Sequence, residues 1–196
     1  MPLYKNQDKE LLHIHIPKTG GTSITSVLAK QGVNVSFMQK ASHPKYGDVP
    51  PQHMSIENTR NFFDLTKIES FAVIREPWHR TVSEYVWRTR SNNFNVMNEW
   101  LKNILHDIDH REFQNHFLPQ CEFIDHNVRV FDYESWNDIC KYIGDRLGIE
   151  NFEVTERKQK RLDYNLPSIE ILDTDTKKLW ENMYWRDIKL FNNKQL

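Results

Sequence analysis

The hydrophobic pattern near the N-terminus changes from a period of two to a helical period. In residues 11–16, LLHIHI, apolar positions alternate with two histidines, which is typical of a β-strand. Ile24, Val27 and Leu28 then recur at the spacing of one helical face, and Gly32 follows where a C-terminal cap is expected. The polar, glycine-containing stretch PKTGGTS between them therefore joins a strand to a helix.

Strands and helices are predicted to alternate along the rest of the chain. Short apolar runs predict strands at residues 70–74, SFAVI, and 128–131, VRVF. Apolar residues at helical spacing predict helices at 79–90, 96–105 and about 174–191, with a further helix between Ser135, its predicted cap, and Gly148. This alternation predicts an α/β fold with a mainly parallel sheet, and residues 1–196 are predicted to form one domain.

Two segments are predicted to be loops. Residues 39–52 contain three prolines and a glycine and lead up to His53. Residues 157–161, RKQKR, form a basic run near the C-terminal end. Both loops lie outside the regular pattern of strands and helices.

The overall composition limits the classes of function. The chain has 26 basic and 27 acidic residues and a formal net charge of −1, whereas proteins that wrap nucleic acid usually carry a basic excess. No apolar run reaches the roughly 18 residues of a membrane span, and no signal-peptide pattern is present. Cys121 and Cys140 are too few for a disulfide scaffold or a four-cysteine zinc site. We therefore expect a cytoplasmic protein without a membrane span and without a nucleic-acid partner.

The stretch PKTGGTS has the residues of a phosphate-binding loop. Gly20 and Gly21 let backbone N–H groups approach an anion without a Cβ in the way. The helix that follows adds unpaired N–H groups and the positive end of its dipole. Hydroxyl donors and a positive charge complete the set, from Thr19, Thr22, Ser23 and Lys18. A glycine-containing turn with an exposed lysine is the alternative interpretation.

The order of these residues differs from that of ATP-binding loops. Such loops place the lysine after the glycines, as GxxxxGK[ST], whereas Lys18 precedes both glycines. The strand at 70–74 ends in Arg75, an anion binder, and not in a magnesium-binding carboxylate. In α/β folds, ligands bind beyond the carboxyl ends of the strands. Lys18 and Arg75 are therefore predicted to hold one anion together, without a metal.

Ser83 lies eight positions after Arg75 on the predicted helix. An arginine at a strand end and a hydroxyl on the next helix can bind one phosphate jointly. The alternative is that Arg75 pairs with Glu76 or Glu84 and that Ser83 faces solvent.

Several motifs resemble sulfotransferases that depend on 3′-phosphoadenosine 5′-phosphosulfate (PAPS), especially the carbohydrate type. IPKTGGTS resembles their 5′-phosphosulfate loop, and FAVIREPWHRTVSEY resembles their 3′-phosphate segment. FLPQCEFI, residues 117–124, is similar to a segment of heparan sulfate 2-O- and related uronyl sulfotransferases, and so is the tail from ERKQKR to WENMYWRDIKLF. The chain is short for this family and lacks the membrane anchor of its Golgi members, so it resembles a minimal bacterial or viral version.

The resemblance implies a three-layer α/β sandwich of the P-loop-like sulfotransferase fold, with a central mainly parallel sheet. It also implies transfer of a sulfuryl group from PAPS to an acceptor, which leaves the product PAP. By matching position, Lys18 contacts the oxygen that bridges sulfate and phosphate, and residues 19–23 hold the 5′-phosphate. Arg75 and Ser83 hold the 3′-phosphate. Arg157 and Lys158 close over the nucleotide, although a solvated charge run explains these two equally well.

The acceptor hydroxyl also needs a base. His53, in PPQHMSIEN, matches the catalytic histidine of the 2-O- and 6-O-sulfotransferase group, and an imidazole titrates near neutral pH. The other candidates are His43 and Glu57, because some relatives use a glutamate.

Two further patterns have structural interpretations. Residues 106–110, HDIDH, place two histidines at i and i+4, but the diagnostic glutamate of HExxH is absent, so we expect a solvated helix end and no metal site. Trp180, Tyr184 and Trp185 are expected in the core of the last helix rather than stacked on a ligand.

Three classes of function remain open. They are a PAPS-dependent sulfotransferase with a carbohydrate hydroxyl as acceptor, a nucleotide-dependent phosphotransferase, and a non-catalytic carbohydrate- or nucleotide-binding module. A lysine before the glycines, with Arg75 and Ser83, favours the first over the second. The presence of both Lys18 and His53 favours it over the third. The sequence leaves the identity of the acceptor and the oligomeric state undetermined.

Overall fold

The computed structural model describes residues 1–38, 49–106, 108–109, 113–155 and 166–193. In these ranges the chain forms a five-stranded sheet with helices packed around it. The strands are β1 (Leu3–Asn6), β2 (Lys9–Ile14), β3 (Asn34–Ser36), β4 (Ser70–Ile74) and β5 (Arg129–Asp132). The helices are α1 (Gly21–Lys30), α2 (Ile56–Arg60), α3 (Pro77–Thr89), α4 (Met97–His106), α5 (Trp136–Leu147) and α6 (Thr174–Asn192).

The sheet is mixed, with parallel strands at its centre. The strand order is β3-β1-β2-β4-β5. The pairs β2–β4 and β4–β5 are parallel, whereas β1 runs antiparallel to both β2 and β3. The predicted α/β class is confirmed, and so is the parallel arrangement of the predicted strands. The prediction missed β1 and β3, which extend the sheet on one side.

Apolar side chains fill both sides of the sheet. All five residues of β4 are buried, as expected for a parallel strand that is covered on both faces. Phe71 and Val73 belong to a core cluster shared with α1 and α5, and Ala72 and Ile74 belong to a second cluster on the opposite face. The helices therefore form a layer on each side of the sheet.

Helix ends agree with the predicted signals in all but one detail. Gly32 has a φ of 83° just beyond α1, where the Val33 N–H donates to the Leu28 carbonyl at 3.1 Å. Gly148 ends α5 with a φ of 65°. Ser135 stands at the N-terminal cap of α5, but its side chain makes no capping hydrogen bond there. The predicted hydroxyl cap is therefore wrong.

The last helix packs on α3 and α4 through part of its aromatic cluster. Trp180 and Tyr184 are buried in this third cluster, as predicted. Trp185 is 57% exposed, so its predicted place in the core is wrong, because it points away from the face that packs. Among the described residues, no helix is long and apolar enough to cross a membrane.

Candidate active site

The loop between β2 and α1 meets the end of β4 at one edge of the sheet. Parallel pairing aligns Ile14 with Ala72, so the chain leaves both strands on the same side. Arg75 follows β4, and its Nη1 donates to the Lys18 carbonyl at 3.5 Å. The structure thus brings together the two cations that were predicted from separate motifs.

The loop is held in shape by its own backbone and by Thr19. Lys18 and Gly20 adopt positive φ values of 70° and 88°. The buried Thr19 hydroxyl donates to the Ile16 carbonyl at 2.8 Å, and the Ser23 N–H donates to the Gly20 carbonyl at 2.9 Å. The Thr19 hydroxyl therefore stabilises the turn. The backbone N–H is the group that Thr19 retains for binding an anion.

Close packing explains both glycines. A Cβ on Gly20 would lie 2.8 Å from the Trp136 ring, and a Cβ on Gly21 would lie 2.4 Å from Cδ2 of His15. Gly20 also has a φ that L-residues rarely adopt. Glycine at both positions therefore lets the backbone run close to these aromatic rings on its way into α1.

The N-terminal end of α1 has the electrostatics of an anion site. No side chain caps it, and its first turn contains no acidic residue. The Thr22 side chain is exposed, whereas Ser23 is buried. The helix dipole and the N-terminal N–H groups therefore meet no built-in negative charge.

Positive side chains gather around the Trp87 ring beside this loop. The Lys18 ammonium lies 5.1 Å from the ring centroid, and the Arg88 and Arg90 guanidinium groups each lie 5.5 Å from it. Burial lowers the pKa of Lys18 to about 8; the Glu84 carboxylate opposes this shift, and the charges of Arg75, Arg90 and Arg88 add to it. Such a concentration of like charge favours an anionic ligand.

Arg75 is fixed in place but has hydrogen-bonding capacity left. Gln120 binds its backbone on both sides, and the Tyr133 ring lies 4.6 Å from its guanidinium carbon. Its buried Nε has no hydrogen-bond partner in the described part of the chain. Glu76 caps α3 and Glu84 pairs with Arg88, so the alternative ion pairs of Arg75 do not form. Ser83 is half-buried on the second turn of α3.

His53 lies next to this loop among other imidazoles. Its ring is 5.2 Å from that of His15 and 4.8 Å from that of His116, centroid to centroid. Burial and then the charges of these two neighbours lower its pKa well below the usual value, while a hydrogen bond with the Gln114 backbone opposes the shift. Its buried Nδ1 has no partner among the described residues. His53 is therefore neutral at pH 7, and its pKa lies below the near-neutral value expected from the sequence because the ring is buried.

A buried carboxylate–imidazole pair completes the site, and the sequence reasoning missed it. Glu84 Oε2 lies 2.8 Å from Nδ1 of His116, and Arg88 Nε donates to Glu84 Oε1 at 2.6 Å. The His116 ring stacks on Trp87 at 5.1 Å. The spacing of Glu84 and Arg88 at i and i+4 is visible in the sequence, whereas the contact with His116 spans 32 positions.

A buried arginine, Arg80, supports the site through hydrogen bonds to backbone carbonyls. Arg80 Nε donates to the Pro17 carbonyl at 3.1 Å, and its Nη2 donates to the carbonyls of His116 and Leu118 at 2.8 and 3.0 Å. It thereby ties the lysine loop to the segment that carries His116. This role was also missed, because REPWHR shows the arginine but not its distant carbonyl partners.

Several residues that the sequence analysis named as candidates are not part of the site that the structure describes. Arg157, Lys158 and His43 lie outside the described residues. Glu57 is exposed on the first turn of α2. In HDIDH, His106 ends α4 and His110 lies outside the described residues, and no group of three metal-ligating side chains occurs within the described ranges.

A separate cavity of 1370 Å³ lies along the open edge of β5. Its walls come from α5 and from residues such as Ile124 and Leu190. None of the predicted site residues lines it. We therefore place the chemistry at the loop edge of the sheet, where the cations and imidazoles converge, rather than in this cavity.

Comparisons with known proteins agree with the motifs. No curated protein and no solved structure shows significant similarity to the chain. A family model described as "Sulfotransferase family" matches residues 2–193, nearly the whole chain. This match confirms the predicted sulfotransferase enzyme, and members of the family generally take their sulfuryl group from PAPS. The chain belongs to the sulfotransferase family.

Proposed function

We propose that the protein transfers a sulfuryl group from PAPS to a hydroxyl of a carbohydrate, with a histidine as base. The observation that carries the proposal is the contact of Arg75 with the Lys18 loop at the uncapped start of α1. This arrangement offers two separate cations and a helix N-terminus to one anionic ligand. The strand, loop and helix act together as a P-loop-like phosphate site in a single domain.

The residues present fit such a nucleotide. The partnerless Nε of Arg75 is a buried donor that a phosphate oxygen satisfies. Burial and the neighbouring arginines lower the pKa of Lys18, and a ligand with several negative charges offsets the repulsion among these cations. PAPS supplies the activated sulfuryl group, and PAP is the leaving product.

Each part of the loop edge has a distinct task. The backbone of residues 19–23, with the Thr22 hydroxyl, holds the 5′-phosphate at the start of α1. Arg75 and Ser83 bind the 3′-phosphate. Lys18 places its ammonium at the oxygen on which negative charge grows, and this kind of electrostatic stabilisation is commonly worth about 10²–10³ in rate. Arg157 and Lys158 are proposed to close over the nucleotide.

His53 is the proposed base. In this proposal Nδ1, which has no partner among the described residues, takes the proton of the acceptor hydroxyl, and such assistance contributes roughly 10²–10⁴-fold. The neighbouring His15 and Gly21 connect it to the lysine loop, so donor and acceptor groups share one site. We further propose that the protein acts in the cytoplasm.

Calorimetric titration with PAP tests the proposal. Adenosine 5′-monophosphate and ATP–Mg²⁺ are the controls, because the first lacks the 3′-phosphate and the second is the ligand of a phosphotransferase. We expect PAP to bind tightly and to lose most of its affinity without the 3′-phosphate. Binding of ATP–Mg²⁺ in place of PAP would overturn the proposal.

Activity with and without EDTA separates the remaining alternatives. A sulfotransferase that uses protein cations keeps its rate when divalent metals are removed. A strict requirement for Mg²⁺ would indicate a phosphotransferase. Tight PAP binding with no transfer to any of a panel of mono- and oligosaccharides would instead indicate a binding module.

A further inference from the structure

One carboxylate, that of Glu84, interacts with both parts of the proposed site. These parts are the lysine loop on the donor side and the imidazoles on the acceptor side. Glu84 is 1% exposed and lies on α3, directly after Ser83. It hydrogen-bonds to His116 on one oxygen and to Arg88 on the other. It also attracts the Lys18 ammonium. A buried carboxylate costs several kcal/mol unless it is paired, and here its pairing reaches both the lysine loop and the imidazoles.

The ionisation of Glu84 is clear from its surroundings. Burial alone raises its pKa, but the hydrogen bond from His116 and the charges of His116, Arg88 and Lys18 outweigh burial and leave the pKa below its usual value. An ionised carboxylate only accepts hydrogen bonds, so Nδ1 of His116 is the donor. This contact fixes the His116 tautomer and ring plane, as carboxylates commonly do for imidazoles.

His116 transmits this charge towards His53. The two rings meet edge to face at 4.8 Å, with an interplanar angle of 78°. The charges that act on His53 are those of His15, His116 and the N-terminal ammonium of Met1, and each of them lowers its pKa. When Nδ1 of His53 takes up a proton, the Glu84 carboxylate lies one imidazole away, on the far side of His116.

We propose that Glu84 is a shared counter-charge that couples the donor and acceptor halves of the site, acting directly on Lys18 and through His116 on His53. The inference rests on the proposed function. Glu84 and His116 are positioning residues in this scheme. As the acceptor O–S bond forms, the acceptor proton passes to Nδ1 of His53. The bond from sulfur to the bridging oxygen breaks, and PAP leaves with the electron pair beside Lys18.

Because charged groups surround Lys18, the pH at which Lys18 titrates is the readout that tests the role of Glu84. Glu84 stabilises its ammonium form, whereas Arg75, Arg88 and Arg90 destabilise it. Glu84→Gln keeps the shape of the side chain and removes its charge, while Glu84→Asp keeps the charge. Because an opposite charge nearby shifts a pKa by about 1–3 units, the pH midpoint of PAP binding is expected to fall by about one unit or more in Glu84→Gln and to stay near the wild-type value in Glu84→Asp.

His116→Gln separates the two halves. This change leaves Glu84 beside Lys18, so the pH midpoint of PAP binding is expected to stay at the wild-type value. It breaks the link to His53, so kcat is expected to fall by about 10²-fold with an unchanged KM for the acceptor. In Glu84→Gln both effects appear together. Glu69→Gln is the matched control, because this carboxylate pairs with Arg146 and Tyr142 far from the loop.

The outcomes distinguish this inference from the proposed function. Wild-type protein that does not bind PAP overturns both. Wild-type binding together with an unshifted midpoint in Glu84→Gln overturns the inference alone, and so does wild-type kcat in His116→Gln. Thermal melts establish that each variant is folded. If Glu84→Gln does not fold, the kcat of His116→Gln decides.

Discussion

The Gln120 side chain pairs with both backbone groups of Arg75. Its Oε1 accepts from the Arg75 N–H at 2.9 Å, and its Nε2 donates to the Arg75 carbonyl at 2.8 Å. Gln120 is itself held by Asp187 of α6, whose carboxylate accepts from the Gln120 and Cys121 N–H groups at 2.7 and 2.9 Å. The last helix therefore sets the position of an arginine at the end of β4.

Gln120→Leu is expected to weaken this support. The substitution keeps the size of the side chain but leaves a backbone N–H and a carbonyl without partners, at a cost of about 1–3 kcal/mol. Urea unfolding measures this loss, and calorimetry is expected to show weaker PAP binding with little change for adenosine 5′-monophosphate. Gln31→Leu, at the exposed end of α1, is the control. Equal affinity for PAP in both variants would mean that Gln120 does not position Arg75 for the 3′-phosphate.

Lys18→Ala is expected to abolish turnover while folding survives. The loop is shaped by backbone contacts and by Thr19, so it does not need the lysine side chain. Removing the charge that meets the leaving oxygen should lower kcat by at least about 10²-fold. Lys30→Ala, at the exposed end of α1, controls for loss of a cation. Wild-type turnover in Lys18→Ala would remove Lys18 from the mechanism.

PAP affinity is expected to fall as pH rises through about 8. The free protein holds the pKa of Lys18 at about 8 because of burial and the neighbouring arginines, and the bound anion raises it. Below pH 8 the lysine is charged before binding, whereas above pH 8 binding must take up a proton, which costs up to tenfold in affinity per pH unit. Calorimetry between pH 7 and about 10 measures the slope. Lys18→Arg keeps its charge throughout, so its affinity should be flat, and an equal slope in that variant would assign the titration to another group.

The parts of the fold that follow a local period were predictable from the sequence. SFAVI forms β4 at residues 70–74, and the α6 prediction ends within about one residue of the structure. The strand β1 was missed because only Tyr4 of its four residues is fully buried. Its stability comes from pairing with β2 and β3, which no local pattern records.

The candidate site likewise has a part that could be predicted from the sequence and a part that could not. Lys18 and Arg75 stand at the ends of predicted strands, so the parallel sheet brings them together by rule. The Glu84–His116 pair and the Gln120–Arg75 pair join positions 32 and 45 residues apart. Such contacts depend on how helices and turns pack, and neither residue type nor spacing identifies them in advance.

Acid is expected to destabilise the protein steeply below pH 6.5. Burial lowers the pKa of His13 and His53 well below the usual value and that of His15 to about 3, so all three stay neutral in the fold. The unfolded chain binds a proton at each of them below about 6.5. Since the unfolded state binds more protons, stability is complete above that pH and is lost as pH falls, by up to about 4 kcal/mol per unit for three groups.

Urea unfolding at pH 7, 6 and 5 measures this slope. His13→Phe should reduce it by up to about 1.4 kcal/mol per pH unit, because one proton is removed from the balance. His79→Gln is the control, since the His79 side chain is 42% exposed. A wild-type slope below that of a single proton would show that the buried imidazoles take up protons within the fold.

Gly21→Ala is expected to disturb the loop and the imidazoles together. The added Cβ would lie 2.4 Å and 2.5 Å from Cδ2 and Nε2 of His15 and 2.9 Å from Cε1 of His13. His15 is buried against His53, so it has little room to move, and overpacking of this kind costs about 1–3 kcal/mol. Urea unfolding should show that loss, and calorimetry should show weaker PAP binding.

Gly32→Ala provides the contrast, since its added Cβ would meet no atom within 4 Å, although Gly32 has a φ of 83°. It should cost about 1 kcal/mol through its backbone and leave PAP affinity unchanged. Equal PAP affinity in the two variants would mean that contact between the loop and His15 plays no part in shaping the nucleotide site.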